Sequence, residues 1–213
     1  MMRSITYRLA EFFLLFVVMP ISFALHYPFV IKAILAVIGF GYIIWVLKKV
    51  ERISFKVKSG IPWREFWKRI LITFSIIILL TSVFVYIRAP EKLFYAPIHH
   101  FSFFLLIVLF YSLLSVWPQE IIYRTFFMQR YTSLIKSKSL LIFINAIVFS
   151  LAHTFFRNAL VTIITFLGGL LFAFSYLKFR STTLVSIEHA IYGNWLFTVG
   201  MGEMLAFPGM DVS

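Results

Sequence analysis

Seven apolar stretches, each at least about as long as the 17–25 residues that carry a helix across a bilayer, fill most of this 213-residue sequence. They run from Arg8 to Leu25, Pro28 to Leu47, Ile70 to Ile87, Phe101 to about Tyr131, Leu140 to Phe156, Ala159 to Leu177 and Thr182 to Gly200. With 62% of residues apolar and 13% charged, the chain has more apolar surface than one soluble core could hide. Lipid is its natural solvent. The expected fold is all-α: a polytopic membrane bundle of about seven transmembrane helices in a single membrane domain, 1–213. Residues 1–100 supply three flanking helices and 101–200 a core. The fourth stretch is too long for an upright span, so it must tilt, kink at Pro118, or leave the hydrocarbon. The first carries Glu11 and Pro20 and no small-x-small cleavage site follows it, so it reads as a span and not as a cleaved signal peptide.

Twenty Lys and Arg against eight Asp and Glu leave a formal charge of +12. In a soluble protein that excess would suggest nucleic acid; in a membrane protein it is first a topology signal. One side collects Arg3 and Arg8, the eight basic residues between Lys48 and Arg69, then Arg130, Lys136, Lys138, Lys178 and Arg180, fifteen in all. The other side collects four: Lys32, Arg88, Lys92 and Arg157. The asymmetry predicts a cytoplasmic N-terminus, and insertion accounts for the charge without a nucleic-acid partner. The basic loop 48–69, with Trp63, Phe66 and Trp67 interleaved, suits anionic headgroups. The absence of cysteine excludes disulfides and thiolate metal sites.

Ionisable groups inside a span are costly, and each is by default a functional hypothesis. After residue 100 these are Glu120, Arg124, His153, Glu188 and His189. Glu120 and Arg124 stand four apart, which stacks them on one helical face. Taking cytoplasmic ends near Tyr131, Leu140 and Thr182, Glu120 lies ~16 Å deep, His153 ~20 Å and His189 ~10 Å. An acid and two imidazoles from three helices thus fall in one slab. Other polar residues have plainer readings. Glu11 is expected to pair with Arg8 or Lys32 or to line a substrate entrance, and His26, His99 and His100 to be solvated near the outer interface. Asn145 is a spare amide donor, Asn158 a loop residue, and Gly168-Gly169 a site of close helix packing.

The segment Gln119-Glu120-Ile121-Ile122-Tyr123-Arg124 resembles the first motif, E-E-x-x-x-R, of the CPBP (CAAX protease and bacteriocin-processing, or Abi) intramembrane endopeptidases. Phe149-Ser150-Leu151-Ala152-His153 matches their second motif, F-x-x-x-H, and His189 to Asn194 approximates their third, H-x-x-x-N. The likeness covers roughly residues 100 to 200. Two positions depart from the pattern. Gln119 replaces the first glutamate, leaving Glu120 as the carboxylate. Gly193 occupies the position four after His189, and Asn194 is displaced by one, which turns it ~140° from His189 on a regular helix.

The resemblance implies peptide-bond hydrolysis near or within the membrane, on a membrane-associated peptide or protein. Glu120 would activate water, Arg124 orient Glu120, and His153 position the water or protonate the leaving amine. His189 and Asn194 would stabilise the oxyanion. No cofactor is needed. The alternative is a zinc site of Glu120, His153 and His189 with water as fourth ligand, a version that leaves Glu188, about 100° from His189 on its helix, as a poor base. A rival of another class is a non-catalytic scaffold, immunity protein or small transporter gated by the buried ion pair. The short loops suit a multi-pass protein of a prokaryotic cytoplasmic membrane.

Overall fold

The computed structural model describes residues 2–53 and 60–205; Lys56 and Lys58 of the basic loop lie outside them. The described residues are helical with short connections. We number the principal helices α1 (Ile5–Phe23), α2 (Phe29–Val50), α3 (Trp63–Arg88), α4 (Phe101–Tyr131), α5 (Lys138–Leu151), α6 (Ala159–Phe179) and α7 (Thr182–Val199). Their starts are set by local chemistry. Ser4, Ser137 and Ser181 each accept the backbone N–H three residues on, and Asn158 accepts from Leu160 and Val161, supplying partners for first-turn donors that a helix leaves open. Asn158 is therefore the cap of α6. The end of α7 is made by Gly200 at φ 101°, where a Cβ would fall 2.0 Å from the Lys92 carbonyl oxygen.

Among the described residues six helices are long and apolar enough to cross a membrane, and the chain is a multi-pass integral membrane protein. About seven spans were expected, and six helices meet this test of length and composition. The seventh stretch does form an 18-residue helix, but Glu188, His189 and Asn194 make it too polar for a lipid-facing span, and its buried residues include Glu188, His189 and Tyr192. The six carry their apolar residues outward: Phe29 is 80% exposed, Val37 72% and Ile87 70%. Helix α3 begins at Trp63 and not at Ile70, because the aromatic residues ahead of the span continue the helix.

Helix α4 is unbroken for 31 residues, about 46 Å at ~1.5 Å per residue, beyond the ~30 Å of hydrocarbon. Two π-helical stretches, Tyr111–Val116 and Ile121–Phe126, flank Pro118. Proline has no N–H for the carbonyl one turn back, and widened turns absorb that loss. Asn145 adds to it by donating to the Tyr123 carbonyl at 2.6 Å, so this amide is structural.

Two compact units divide the chain: the described residues of Met1–Val57 with Pro118–Lys178, and those of Lys58–Trp117 with Phe179–Ser213. In the first, Phe16 packs among Tyr123, Phe126, Phe127 and Tyr131. Gly169 lets α6 approach α5, since a Cβ there would lie 2.8 Å from Ala146 Cα. Glu11 pairs with Arg130, not with Arg8 or Lys32. The Arg130 fork gives Nε and Nη2 to Glu11 at 2.8–3.0 Å, Nη1 to Glu51 at 2.7 Å and Nη2 also to the Met2 carbonyl at 2.6 Å. Arg8 instead caps the end of α4 through Ser133 and the Arg130 carbonyl, and Lys32 the end of α1 through the Phe23 carbonyl. The start of α1, the end of α2 and the end of α4 therefore meet at one end of this unit.

In the second unit Phe66 is buried against Phe179, and Phe74 packs on Tyr192 and Trp195. The Trp195 indole donates to Thr81 at 2.9 Å. Lys92 and Glu203 pair at 2.7 Å, which joins the far ends of α3 and α7.

Candidate active site

In the first unit α4 carries Glu120 and Arg124, both fully buried, with Arg124 Nε 3.4 Å from Glu120 Oε2. The guanidinium lies over the Phe149 ring at 4.5 Å and the Phe172 ring at 5.6 Å. A buried cation so placed is held by an adjacent carboxylate and by the negative faces of two aromatic rings. Phe149 and Phe172 come from α5 and α6, so one guanidinium ties three helices together.

His153 stands just beyond the C-terminal end of α5, in the turn before the short 3₁₀ helix Thr154–Phe156. Its Nδ1 is 2.7 Å from the Phe149 carbonyl oxygen. A carbonyl only accepts, so Nδ1 donates and the neutral ring carries its lone pair on Nε2. The His153 ring also meets the Phe149 ring edge-on, centroids 4.9 Å apart. Phe149 thus touches both the acid pair's arginine and the histidine. The F-x-x-x-H spacing has a direct reason: four residues bring the imidazole back to the Phe149 carbonyl and the Phe149 ring under Arg124.

In the second unit α7 carries Glu188, His189, Gly193 and Asn194. Glu188 is fully buried and receives Arg69 Nη1 at 2.9 Å. His189 is 6% exposed, its ring edge-on to Tyr111 with centroids 6.0 Å apart. Asn194 Nδ2 donates to Ser112 Oγ at 2.9 Å. Helix α7 is regular through Gly193, and Gly193 serves close approach: a Cβ there would lie 2.0 Å from Tyr111 Oη.

Three residues of consequence lie outside the motifs. Arg69 and Arg130, read from sequence as topology charges, are the partners of buried carboxylates. A hint lay in Glu188 and Glu11, acids inside apolar stretches that require a cation, though nothing local says which. Tyr111 carried no signal beyond a hydroxyl in an apolar run. A cavity of about 300 Å³ opens in the first unit among Phe23, His26, Lys32, Phe155 and Arg157, and none of the motif residues lines it. Among the described residues no group of three or more His, Cys, Asp or Glu is arranged to hold a metal ion.

Residues 101–195 match the family model described as Rce1-like, type II CAAX prenyl endopeptidase Rce1-like. No curated protein and no solved structure matches the chain. The class is thus a multi-pass, all-α membrane protein, and the match of residues 101–195 to a CAAX-protease-type family model supports intramembrane proteolysis in general terms. The matched segment spans Glu120, Arg124, His153, His189 and Asn194.

Proposed function

We propose that this protein is an intramembrane endopeptidase of the CPBP type, using a glutamate and no metal. The observation that carries the reading is the fully buried Glu120, held by the Arg124 guanidinium within a segment that matches an Rce1-like endopeptidase domain. A carboxylate kept away from water at such cost needs a purpose, and hydrolysis supplies one. Arg124 orients Glu120. Water attacks the peptide carbonyl carbon as Glu120 takes its proton, and His153, its tautomer set by the Phe149 carbonyl, positions that water through Nε2. His189 donates to the developing oxyanion. Asn194 adds a donor from the second hydrogen of its amide, the first going to Ser112. The C–N bond then breaks as the leaving amine receives a proton from the His153 or Glu120 side. The substrate is a peptide at or within the bilayer.

The test is cleavage of membrane peptides by purified protein in lipid. Wild type is expected to cut, and His153→Ala and His189→Ala to lose about 10²–10³ in rate, the scale of a removed proton-transfer or oxyanion group. Full activity in both variants would refute the assignment of roles.

The charge asymmetry supports a cytoplasmic N-terminus, in a cytoplasmic membrane of prokaryotic type, and the cysteine-free sequence makes the orientation directly measurable. Glu91 and Lys136 are both exposed in connections between helices. Glu91→Cys is expected to react with an impermeant maleimide in intact cells, and Lys136→Cys only after permeabilisation. The opposite pattern would invert the topology.

A further inference from the structure

Within the first unit, the turn from α5 to α6 reaches the turn from α1 to α2. Arg157 Nη2 donates to the Ala24 carbonyl at 2.8 Å and to His26 Nδ1 at 3.1 Å. Lys32, in the first turn of α2, donates to the Phe23 carbonyl at 2.6 Å and stands over the Tyr27 ring at 4.9 Å. Lys32, Arg157 and His26 line the cavity of about 300 Å³, together with Leu25 and Phe155, which are exposed. That volume is at the small end of the ~300–1,000 Å³ of ligand sites.

The charge of this cavity is one-sided. The acids of the unit are Glu11, Glu51 and Glu120, and they pair with Arg130 and Arg124. Among the described residues Lys32 and Arg157 make no ion pair, and each keeps N–H donors beyond those it gives to a carbonyl. Because an arginine only donates, His26 Nδ1 accepts, and the neutral imidazole carries its proton on Nε2 as a further donor. Arg157 also holds φ 52°, a left-handed backbone that a residue with a Cβ adopts at a cost. An arginine kept there needs a use for its side chain. The charge count sharpens the point: of the four cations on the sparse side, two line this one cavity, although insertion disfavours cations on that side.

We infer that this cavity binds the phosphate of an anionic phospholipid. Lys32 and Arg157 neutralise the phosphate, and Leu25 and Phe155 lie against the acyl end of the lipid. The place of the cavity selects a lipid over a soluble anion. Both turns connect helices of membrane length, so the cavity stands at the level of the headgroups. A bound lipid would bridge the α1–α2 and α5–α6 turns. The inference does not depend on the endopeptidase reading.

The experiment titrates the whole chain, in a nonionic detergent, with dioctanoyl phosphatidylglycerol and follows the unfolding temperature, which rises as a ligand binds the folded state. Wild type is expected to show a saturable rise. Dioctanoylglycerol, which lacks the phosphate, inorganic phosphate, which lacks the chains, and dioctanoyl phosphatidylcholine, whose phosphate is offset by choline, are each expected to need at least about tenfold higher concentration, the scale of one charge-assisted hydrogen bond. Lys32→Gln and Arg157→Gln are expected to weaken binding of the phosphatidylglycerol by at least about tenfold. Arg88→Gln, which removes an exposed cation outside the cavity, is expected to leave it within about twofold, since distant charges are screened. Wild type that binds phosphatidylcholine or dioctanoylglycerol as tightly as phosphatidylglycerol would overturn the inference without any variant. Inorganic phosphate binding as tightly would make the site one for a soluble anion and overturn the choice of a lipid. Unchanged binding in both glutamine variants would show that the two cations only cap the end of α1.

Discussion

Exchanging Arg130 for methionine is expected to lower the stability of the protein by about 3–5 kcal/mol, the usual cost of removing one partner from a buried ion pair. The substitution strips Glu11, whose side chain is 3% exposed, and Glu51 of their shared guanidinium, and frees the Met2 carbonyl. Glu11 then faces burial as an unpaired carboxylate or folding with an added proton, and either is costly. Removing both charges, in Arg130→Met/Glu11→Met, is expected to recover most of the loss, because the penalty lies in the orphaned charge more than in the missing attraction. Reversible unfolding in detergent micelles measures both variants. A single variant as stable as wild type would show that the network does not hold α1, α2 and α4 together.

Substitution of Arg124 carries a comparable stability cost and a functional one. Arg124→Met leaves Glu120 fully buried without its guanidinium and empties the space between Phe149 and Phe172. Losses of about 3–5 kcal/mol and of at least 10² in cleavage rate are expected. Arg124→Lys is the more instructive change. It keeps the positive charge but loses the planar group that stacks on two rings, and an ammonium is more strongly hydrated and harder to bury. We expect it to fall between wild type and Arg124→Met in stability and to cleave about tenfold more slowly than wild type. If Arg124→Lys matches wild type in both, charge alone suffices and the aromatic platform has no role.

The all-helical, many-span architecture was legible because hydropathy summed over a span is a strong signal and a helix in lipid satisfies its own backbone. The seventh stretch is informative. Helix α7 was counted as an ordinary crossing, yet the polar residues that made it interesting, Glu188, His189 and Asn194, are what remove it from the lipid-facing set. The Glu120–Arg124 pair was legible because it joins residues four apart on one helix, neighbours that helical periodicity predicts. Arg69 with Glu188, Arg130 with Glu11, and Tyr111 with Gly193 join distant parts of the chain. No local pattern encodes which helices become neighbours, so a basic residue at the end of a span looks the same whether it faces headgroups or reaches inward to an acid.

The central claim is that Glu120 drives hydrolysis of a peptide bond. The most direct measurement is mass spectrometry of a membrane-embedded peptide incubated with wild-type or Glu120→Gln protein in water enriched in heavy oxygen. Hydrolysis places one solvent oxygen in the new C-terminal carboxylate, which marks enzymatic cuts made during the incubation. Glutamine keeps the size and most of the packing of glutamate but cannot take a proton, so product from the variant is expected to fall by about 10²–10⁴ while the protein remains folded. Labelled product formed equally by both proteins would contradict the account.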